Sequence, residues 1–415
     1  MRFEFYYDIT FWFFCAAAVV VYRLLGRYQR LRSLFLVLCS AFMLLALPRF
    51  DLYSLGFMIL VSSCVFLAGR ALQRSAETGR GAARRAIAAG SIVVIALQLV
   101  FFKYRVVQSA LLRTVLHRPD PSGDMVFVLG VSYFSFKMIH FVVECYKGGI
   151  AAASYLDFLN YVLFFPAFIS GPIARYESFR TELAAAARAD LRGDLREAGV
   201  RIVNGLFKKL VLAIILYKYT FMSPDLDPAK LSRWSALLTT YLSTLYFYLD
   251  FSAYSDVAIG AARAMGIRLP ENFNKPFRKP NIQKLWAGWH ISLTQWLTDY
   301  IYWPLCRKLR KRLFLADHPV FLSNVSILVT FLVCGMWHGD TAAFVLWGLY
   351  HGVGLSVLNA YQKLKRRARS DLLRRYFRSK LSLAVGAFLT FNFFAFGMLF
   401  FFADVLSLDV VRGWF

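Results

Sequence analysis

The sequence has 415 residues, of which 59% are hydrophobic and 17% are aromatic. Its mean hydropathy of +0.51 is too high for an ordinary soluble domain, so the composition excludes that class and indicates a membrane protein. The net charge is +25, but the basic residues cluster in a few loops instead of covering one face of a domain. Nucleic-acid binding is therefore the weaker interpretation, and we predict the lipid bilayer as the main environment.

Apolar runs of near-spanning length recur along the chain. A transmembrane helix needs about 20 mostly apolar residues, so the shorter runs are expected to be tilted or only partly buried. The sequence predicts an all-α, polytopic membrane protein with roughly ten or eleven transmembrane helices. The first run lacks a basic start and an A-x-A cleavage site, so we interpret it as a span and not as a signal peptide. The runs are residues 11–22, 34–47, 52–68, 86–102, 125–145, 205–222, 236–264, 322–336, 341–358 and 381–403.

Three clusters of basic residues lie between these runs, and the positive-inside rule assigns all three to the cytoplasm. This assignment predicts that the N-terminus is outside. General attraction to anionic lipid would use the same charges and give the same sidedness. The clusters are Arg23, Arg27, Arg30 and Arg32; then Arg70, Arg74, Arg80, Arg84 and Arg85; then residues 363–380.

The chain has no internal repeat and no long Gly, Ser or Pro linker, so we predict one multi-spanning membrane domain over residues 1–415. Acids and bases alternate at helical spacing over residues 177–201, which predicts a solvated or interfacial helix between spans. Residues 165–179 and 272–293 are hydrophobic but broken by Pro and Gly. Lipid cannot satisfy irregular backbone, so these two stretches are predicted to be re-entrant or interfacial segments that line a cavity.

Two of the six histidines directly follow a tryptophan at breaks in apolar sequence: His290 in WAGWHISL and His338 in GMWHGD. Polar groups at such places are costly unless they are used. Burial disfavours the imidazolium, so a buried histidine is neutral near pH 7 and can accept a proton, as a general base must. The alternative for each is a structural imidazole bonded to a neighbouring helix. The other four are interpreted as structural (His140 and His351) or as loop residues (His117 and His318).

Buried acids are a second group of candidates: Glu144, Asp250, Asp256 and Asp299. Each carboxylate could orient a histidine or pair with an arginine such as Arg263. The alternative is an internal salt bridge with no catalytic role. The sequence does not choose between these roles.

Several chemistries have no counterpart in the sequence. The six cysteines are scattered without a C-x-x-C pair and are predicted to be small core residues, so we predict no metal site. There is no Walker A loop, nucleophile elbow or H-E-x-x-H zinc pair. Two histidines without a matching nucleophile indicate direct proton abstraction rather than a covalent enzyme intermediate.

Four distinctive stretches lie between about residues 165 and 354: FPAFISGPIARYESF, DFSAYSDVAIGAARAMGIRLPENFNKPF, LWAGWHISLTQWLTDYIYWPL and GMWHGDTAAFVLWGLYHG. Together they resemble the membrane-bound O-acyltransferase superfamily, in its bacterial branch of alginate O-acetylase and teichoic acid D-alanyltransferase. The resemblance implies a many-helix fold around a central funnel or tunnel, where donor and acceptor meet from opposite sides of the membrane. It also implies that His338 is the near-universal histidine of the family and His290 its second active-site histidine.

The resemblance also suggests further site residues. Acetylases of this branch commonly carry two basic residues directly before the Trp-His pair, whereas this chain has Ala287 and Gly288, so any phosphate contact made there is absent. Because of this difference, the acceptor could differ from that of those acetylases. The candidate tunnel or substrate contacts are Trp289, Trp337, Asn274, Asp256 and Asp299, and the candidate donor-side basic loop contains Arg307, Lys308, Arg310 and Lys311.

The implied function is O-acyl transfer in the bacterial cytoplasmic (inner) membrane, with no permanently bound cofactor. The expected donor is a cytoplasmic thioester, on a phosphopantetheine carrier protein or on acyl-CoA. The expected acceptor is a hydroxyl of an extracytoplasmic cell-envelope glycopolymer, an intermediate carrier, or a periplasmic or extracellular acyltransferase partner. His338 would be the general base, and His290 would orient the nucleophile or stabilise the oxyanion.

Three questions stay open at this point. Some motifs favour an acetyl group and others a D-alanyl group, so the acyl group is not decided. Paired intramembrane histidines and acids also occur in proton-coupled transporters, so a transporter of protons or acyl groups is one alternative. A non-catalytic membrane scaffold for a secreted acyltransferase is the other, and it would not require His338.

Overall fold

The computed structural model describes residues 9–47, 50–79, 81–116, 130–150, 152–186, 190–312, 318–367, 377, 379–403 and 406. These residues are 82% helical and form no strand, which confirms the all-α class. His117 and Arg80, and parts of the run 125–145 and of the basic cluster 363–380, lie outside the described residues.

The helices are numbered here in chain order. They are α1 (Ile9–Leu24), α2 (Gln29–Leu45), α3 (Leu52–Glu77), α4 (Gly81–Lys103), α5 (Arg105–Leu116), α6 (Val131–Lys147), α7 (Tyr155–Leu163), α8 (Tyr176–Ala185), α9 (Leu191–Leu206), α10 (Ile214–Tyr217), α11 (Arg233–Ala264), α12 (Ile282–Trp286), α13 (Ile291–Leu297), α14 (Trp303–Arg312), α15 (Pro319–His338), α16 (Ala342–Arg367) and α17 (Lys380–Met398). Residues 177–201 therefore contain parts of two helices, α8 and α9, instead of the one helix predicted.

Five of the described helices are long and apolar enough to cross a membrane, which confirms a polytopic membrane protein. An apolar chain in lipid must satisfy its own amides, and a helix does so within one segment. The run 11–22 forms the shorter apolar helix α1. The total of ten or eleven spans and the central funnel stay predictions. The five spans are Leu52–Ala76, Gly81–Lys103, Pro319–His338, Ala342–Lys363 and Lys380–Phe402.

The chain forms two compact units, so the single membrane domain stays a prediction. Unit 1 takes its described residues from Met1–Asn204 and Tyr254–Pro270, and unit 2 takes its own from Gly205–Ala253 and Glu271–Phe415. In unit 1, α3, α4 and α6 pack against one another around an apolar core.

A buried ionic cluster joins distant parts of unit 1. Asp194 is 2% exposed and accepts a hydrogen bond of 2.6 Å from Arg23, while the guanidinium of Arg263 lies 3.2 Å from its other oxygen. Arg263 also donates to Glu197 at 2.8 Å. A carboxylate this deeply buried needs such partners, because desolvating an unpaired charge costs several kcal/mol.

In unit 2, α15 and α16 approach each other through glycines. A side chain on Gly335 would overlap the carbonyl oxygen of Phe344, and one on Gly348 would overlap that of Phe331. Small residues permit this close backbone contact between membrane helices. Because Gly335 lies three residues before His338, the contact fixes the end of α15 against α16.

Unit 2 also contains two π-helical segments, Phe207–Ala213 and Thr298–Tyr302. The second interrupts a continuous helical stretch between α13 and α14. Pro304, the second residue of α14, explains the place of this segment, because proline cannot donate to the carbonyl four residues earlier, that of Tyr300, and its ring clashes there. The wider π-helical turn accommodates this defect.

Candidate active site

His338 occupies the last position of α15, at the end of the membrane span Pro319–His338. Its half-buried imidazole lies among aromatic rings. The ring centroids of Trp347 and Phe401 are 4.9 and 4.8 Å away, both edge-on, and that of Trp337 is 4.5 Å away. The predicted contact Trp337 is thus an immediate neighbour of the predicted base.

His290 is the N-cap residue directly before α13, and its backbone is left-handed, with φ 42° and ψ 54°. Residues other than glycine adopt this conformation rarely, and they do so mostly where the surrounding structure imposes it. Here Ile291 donates its backbone N–H to the carbonyl of Asn272 at 2.9 Å, and Ser292 Oγ lies 2.6 Å from Asn272 Oδ1. These bonds hold the turn that carries His290.

The side chain of His290 is 4% exposed, and the ring of Phe251 lies edge-on to it at 4.8 Å. Burial lowers the pKa of His290 to about 3, since an imidazolium is disfavoured in an apolar environment. The imidazole is therefore neutral at physiological pH, as the sequence predicted. A neutral imidazole has one nitrogen that donates and one that accepts.

Ring contacts connect the surroundings of the two histidines within unit 2. The ring of Trp289, the residue before His290, lies 4.7 Å from that of Phe394. The ring of Phe394 in turn lies 6.0 Å from that of Trp286. Trp286 lies 5.8 Å from Trp347, which contacts His338. One aromatic cluster thus contacts both predicted site regions.

His351 belongs to the same aromatic cluster. The interpretation from sequence was that of a structural histidine, without this contact with the site regions. Its ring is fully buried and lies 4.8 Å from Trp347 and 5.2 Å from Trp286. Within the described part of the chain, neither ring nitrogen has a hydrogen-bond partner. The signal was present in the sequence, because Trp347 and His351 are four residues apart and share one face of α16.

The predicted contacts Asn274 and Asp299 are both exposed side chains of unit 2. Asn274 contributes through its backbone, which donates to the carbonyl of Gly288 at 2.9 Å next to the isolated bridge between Phe273 and Trp289. Asp299 lies in the π-helical segment Thr298–Tyr302.

The remaining acids pair with bases. Asp256 lies in unit 1, where it accepts a hydrogen bond of 2.7 Å from Arg201 and not from Arg263, the arginine suggested by the sequence. In unit 2, Lys209 of the first π-helical segment donates to Asp250, one residue before Phe251. In unit 1, Glu144 pairs with Lys147 at 2.8 Å. These carboxylates are ion-paired, as the structural alternative predicted.

The predicted donor-side basic residues lie together on α14, which follows the second π-helical segment. All four side chains are exposed, and no salt bridge to them is found among the described residues. An exposed row of unpaired cations attracts acidic partners in a salt-dependent manner. The residues are Arg307, Lys308, Arg310 and Lys311.

Residues 94–400 match the MBOAT, membrane-bound O-acyltransferase family. The chain is 30% identical over 280 residues to the teichoic acid D-alanyltransferase of Bacillus subtilis, covering 67% of this chain and 69% of that protein. It is 30% identical over 249 residues to "Probable alginate O-acetylase AlgI" of Pseudomonas aeruginosa, covering 59% and 45%. It is 29% identical over 317 residues to the peptidoglycan O-acetyltransferase of Helicobacter pylori, covering 70% and 57%. The match thus covers less than two thirds of the last two relatives.

Proposed function

Because the chain belongs to the membrane-bound O-acyltransferase family, we propose that it transfers a short acyl group from a cytoplasmic thioester to a hydroxyl of an extracytoplasmic cell-envelope glycopolymer or an intermediate carrier. The reaction class, acyl transfer to a hydroxyl, follows from the family. The names of the relatives contain teichoic acid, alginate and peptidoglycan, which supports a glycopolymer as the acceptor. Relatives are named for D-alanyl transfer and for acetyl transfer, which supports one of these two as the proposed acyl group.

The place of His338 carries the mechanistic proposal, because the imidazole stands at the end of a membrane span inside the aromatic cluster. The acceptor oxygen bonds to the thioester carbonyl carbon while its proton passes to His338. The carbon–sulfur bond then breaks, and the departing sulfur receives the proton from the imidazolium. Such general base catalysis contributes about 10²- to 10⁴-fold, and exclusion of water protects the thioester from hydrolysis.

His290 is proposed to orient the acceptor or stabilise the oxyanion. A neutral imidazole can donate one hydrogen bond to a developing negative charge, and the constrained backbone of His290 limits the positions of its ring. The exposed cations of α14 support a cytoplasmic donor that is acidic, such as a carrier protein with a phosphopantetheine arm, or acyl-CoA.

Substitution of His338 tests the proposal and separates it from a transporter or a scaffold. His338→Ala and His338→Gln should both lower glycopolymer acylation in cells by about two to four orders of magnitude at normal protein levels. Glutamine keeps a polar side chain of similar size, so it should rescue a purely structural histidine. His318→Gln, at the exposed other end of α15, is the matched control and should acylate normally. Near-normal acylation by His338→Gln would make the catalytic role of His338 wrong.

The proposed orientation places the protein in the cytoplasmic membrane with its N-terminus outside and Lys365 in the cytoplasm. A cysteine introduced at position 365 should resist an impermeant thiol reagent added to intact cells and react after permeabilisation. The exposed Cys64 and the half-buried Cys306 must first be replaced by serine, since both could contribute background labelling. Labelling at position 365 in intact cells would reverse the proposed orientation.

A further inference from the structure

Residues 271–281 form the loop that precedes α12 in unit 2, and this loop is held beside His290. Near its start, Asn272 is bonded to Ser292 in the first turn of α13, and Asn274 is bonded to Gly288 in the turn before that helix. The ring of Phe277, in the middle of the loop, lies 5.9 Å from Trp289 and 5.8 Å from Phe394. At the end of the loop, Asn281 caps α12 by accepting from the backbone of Lys284 at 2.9 Å. The loop therefore presents its other side chains in a fixed arrangement.

Three of those side chains are cations: Lys275, Arg278 and Lys279. Lys275 and Arg278 are exposed and Lys279 is half-buried. Among the described residues, none of the three makes a salt bridge. Three positive charges within five residues repel one another, and an anion bound at this loop would relieve that repulsion.

Lys279 is directed toward the turn that carries His290. A side chain added to Gly288 would lie 3.0 Å from Cε of Lys279 and 2.8 Å from the carbonyl oxygen of Asn274. The stem of Lys279 thus occupies the space above Gly288, two residues before His290. Gly288 is needed there because any larger residue would displace this lysine.

Lys275 adds a second unusual feature to the same loop. Its backbone is left-handed, with φ 46° and ψ 56°, a conformation it shares with His290 alone among the described residues other than glycine. Residues other than glycine adopt such a conformation rarely, and it persists where the surrounding structure imposes it. An isolated antiparallel bridge pairs Phe273 with Trp289. Lys275 follows Phe273 by two residues, and His290 directly follows Trp289.

We propose that Lys275, Arg278 and Lys279 form a binding site for a phosphate group beside His290. Ammonium and guanidinium groups are the side chains that bind phosphate oxygens most strongly, and three of them match a dianion better than a carboxylate. The proposal deepens the proposed function, and rests on it in one respect: the phosphate would belong to a substrate, as in a phosphopantetheine arm. The same chemistry would hold the phosphate of a lipid headgroup, so the source is decided by experiment.

Binding by the purified full chain in uncharged detergent tests the site. Pantetheine 4′-phosphate should bind more tightly than pantetheine, which lacks only the phosphate. Lys279→Met should weaken binding of the phosphate form about ten- to hundredfold and remove its advantage over pantetheine. Lys230→Met is the matched control, because Lys230 is an exposed lysine of the same unit that pairs with Asp227, and it should bind like the unchanged protein. Gly288→Ala should weaken binding in the same direction by moving Lys279.

A second arm identifies a lipid source. The chain in nanodiscs of neutral lipid is compared with the chain in nanodiscs that contain phosphatidylglycerol, and retention of that lipid after detergent extraction is measured. Retention that depends on Lys279, without a phosphate advantage for the pantetheine form, would support the site with a headgroup as its ligand. Unchanged behaviour of Lys279→Met in both arms would overturn the proposal.

Neither arm requires acyl transfer, so the two proposals can fail separately. His338→Gln should keep the phosphate preference of the unchanged protein. If this variant acylates normally while Lys279→Met still loses phosphate binding, the catalytic proposal fails and the phosphate site stands. If acylation requires His338 but Lys279→Met binds phosphate normally, the phosphate site fails and the catalytic proposal stands.

Discussion

The backbone N–H of Tyr176 donates a hydrogen bond of 2.8 Å to Nε2 of His140. Tyr176 is the first residue of α8, so the imidazole satisfies one of the free amides at the start of that helix. Because Nε2 accepts, the neutral ring carries its proton on Nδ1. This hydrogen bond supports the structural role that the sequence predicts for His140.

His140→Ala should accordingly destabilise the protein without changing the chemistry. His140 is 4% exposed, so its loss leaves a buried amide unsatisfied, at about 1–3 kcal/mol, and adds a cavity. Thermal unfolding in detergent should show a lower midpoint, and acylation per folded molecule should match the unchanged protein. Loss of activity with an unchanged unfolding midpoint would instead place His140 in the reaction.

The low pKa of His290 predicts a pH-dependent stability. Its pKa is about 3 in the folded protein and about 6.5 when unfolded, so between these values the unfolded chain binds more protons. The stabilising contribution is complete above pH 6.5 and is lost as the pH falls, by up to about 1.4 kcal/mol for each pH unit. Unfolding of the protein and of His290→Gln should be compared from pH 8 to pH 5. The variant should lose less stability on acidification; identical slopes would contradict the prediction.

Gly335→Ala should weaken the packing of α15 against α16. The new methyl group would overlap the carbonyl oxygen of Phe344, and overpacking of this kind costs about 1–3 kcal/mol. Because His338 follows three residues later, acylation should fall together with the unfolding midpoint. Gly56→Ala is the control: nothing lies within 4 Å of its added Cβ in α3, and alanine favours helix. A Gly335→Ala protein as stable as Gly56→Ala would show that the two helices can separate without loss.

The exposed cations of α14 should govern donor affinity if they face an acidic donor. Reversing Arg307 and Lys308 to glutamate should weaken binding of a carrier protein or acyl-CoA, most strongly at low salt. The same reversal at Arg105 and Arg113, which are exposed on α5, changes the net charge equally and should have little effect. If both pairs of substitutions weaken donor binding equally, or if neither pair weakens it, α14 is not part of the donor site.

The membrane spans were predictable because an apolar segment in lipid must form backbone hydrogen bonds internally, which favours a helix. The run 322–336 becomes α15, Pro319–His338, since an apolar segment of that length must satisfy its amides internally and proline suits the first turn of a helix. Pairing between distant positions was not predictable. Arg23 and Asp194 are 171 residues apart, and no local pattern indicates which of the chain's many basic residues a buried carboxylate will meet.

The candidate site was predicted in part. The Trp-His pairs at apolar breaks identified His290 and His338, because an imidazole there is costly without a use. The left-handed backbone of His290 and the position of Lys279 above Gly288 depend on how two loop segments contact each other, which residue spacing does not reveal. Asp256 stays a predicted tunnel or substrate contact, and its ion pair with Arg201, 55 residues away in the sequence, is a contact that residue spacing does not reveal.

The π-helical segment Thr298–Tyr302 sets the phase of the helix that follows it. Each residue of an α-helix advances the side-chain direction by about 100°, and a π-helical turn contains an additional residue. Deleting one residue from this segment would therefore rotate the whole of α14 about its own axis and leave its composition and charge unchanged. The direction in which Arg307 and its neighbours point around the helix axis thus depends on the number of residues in the π-helical segment. Donor recognition would therefore be sensitive to a deletion in this segment as well as to charge.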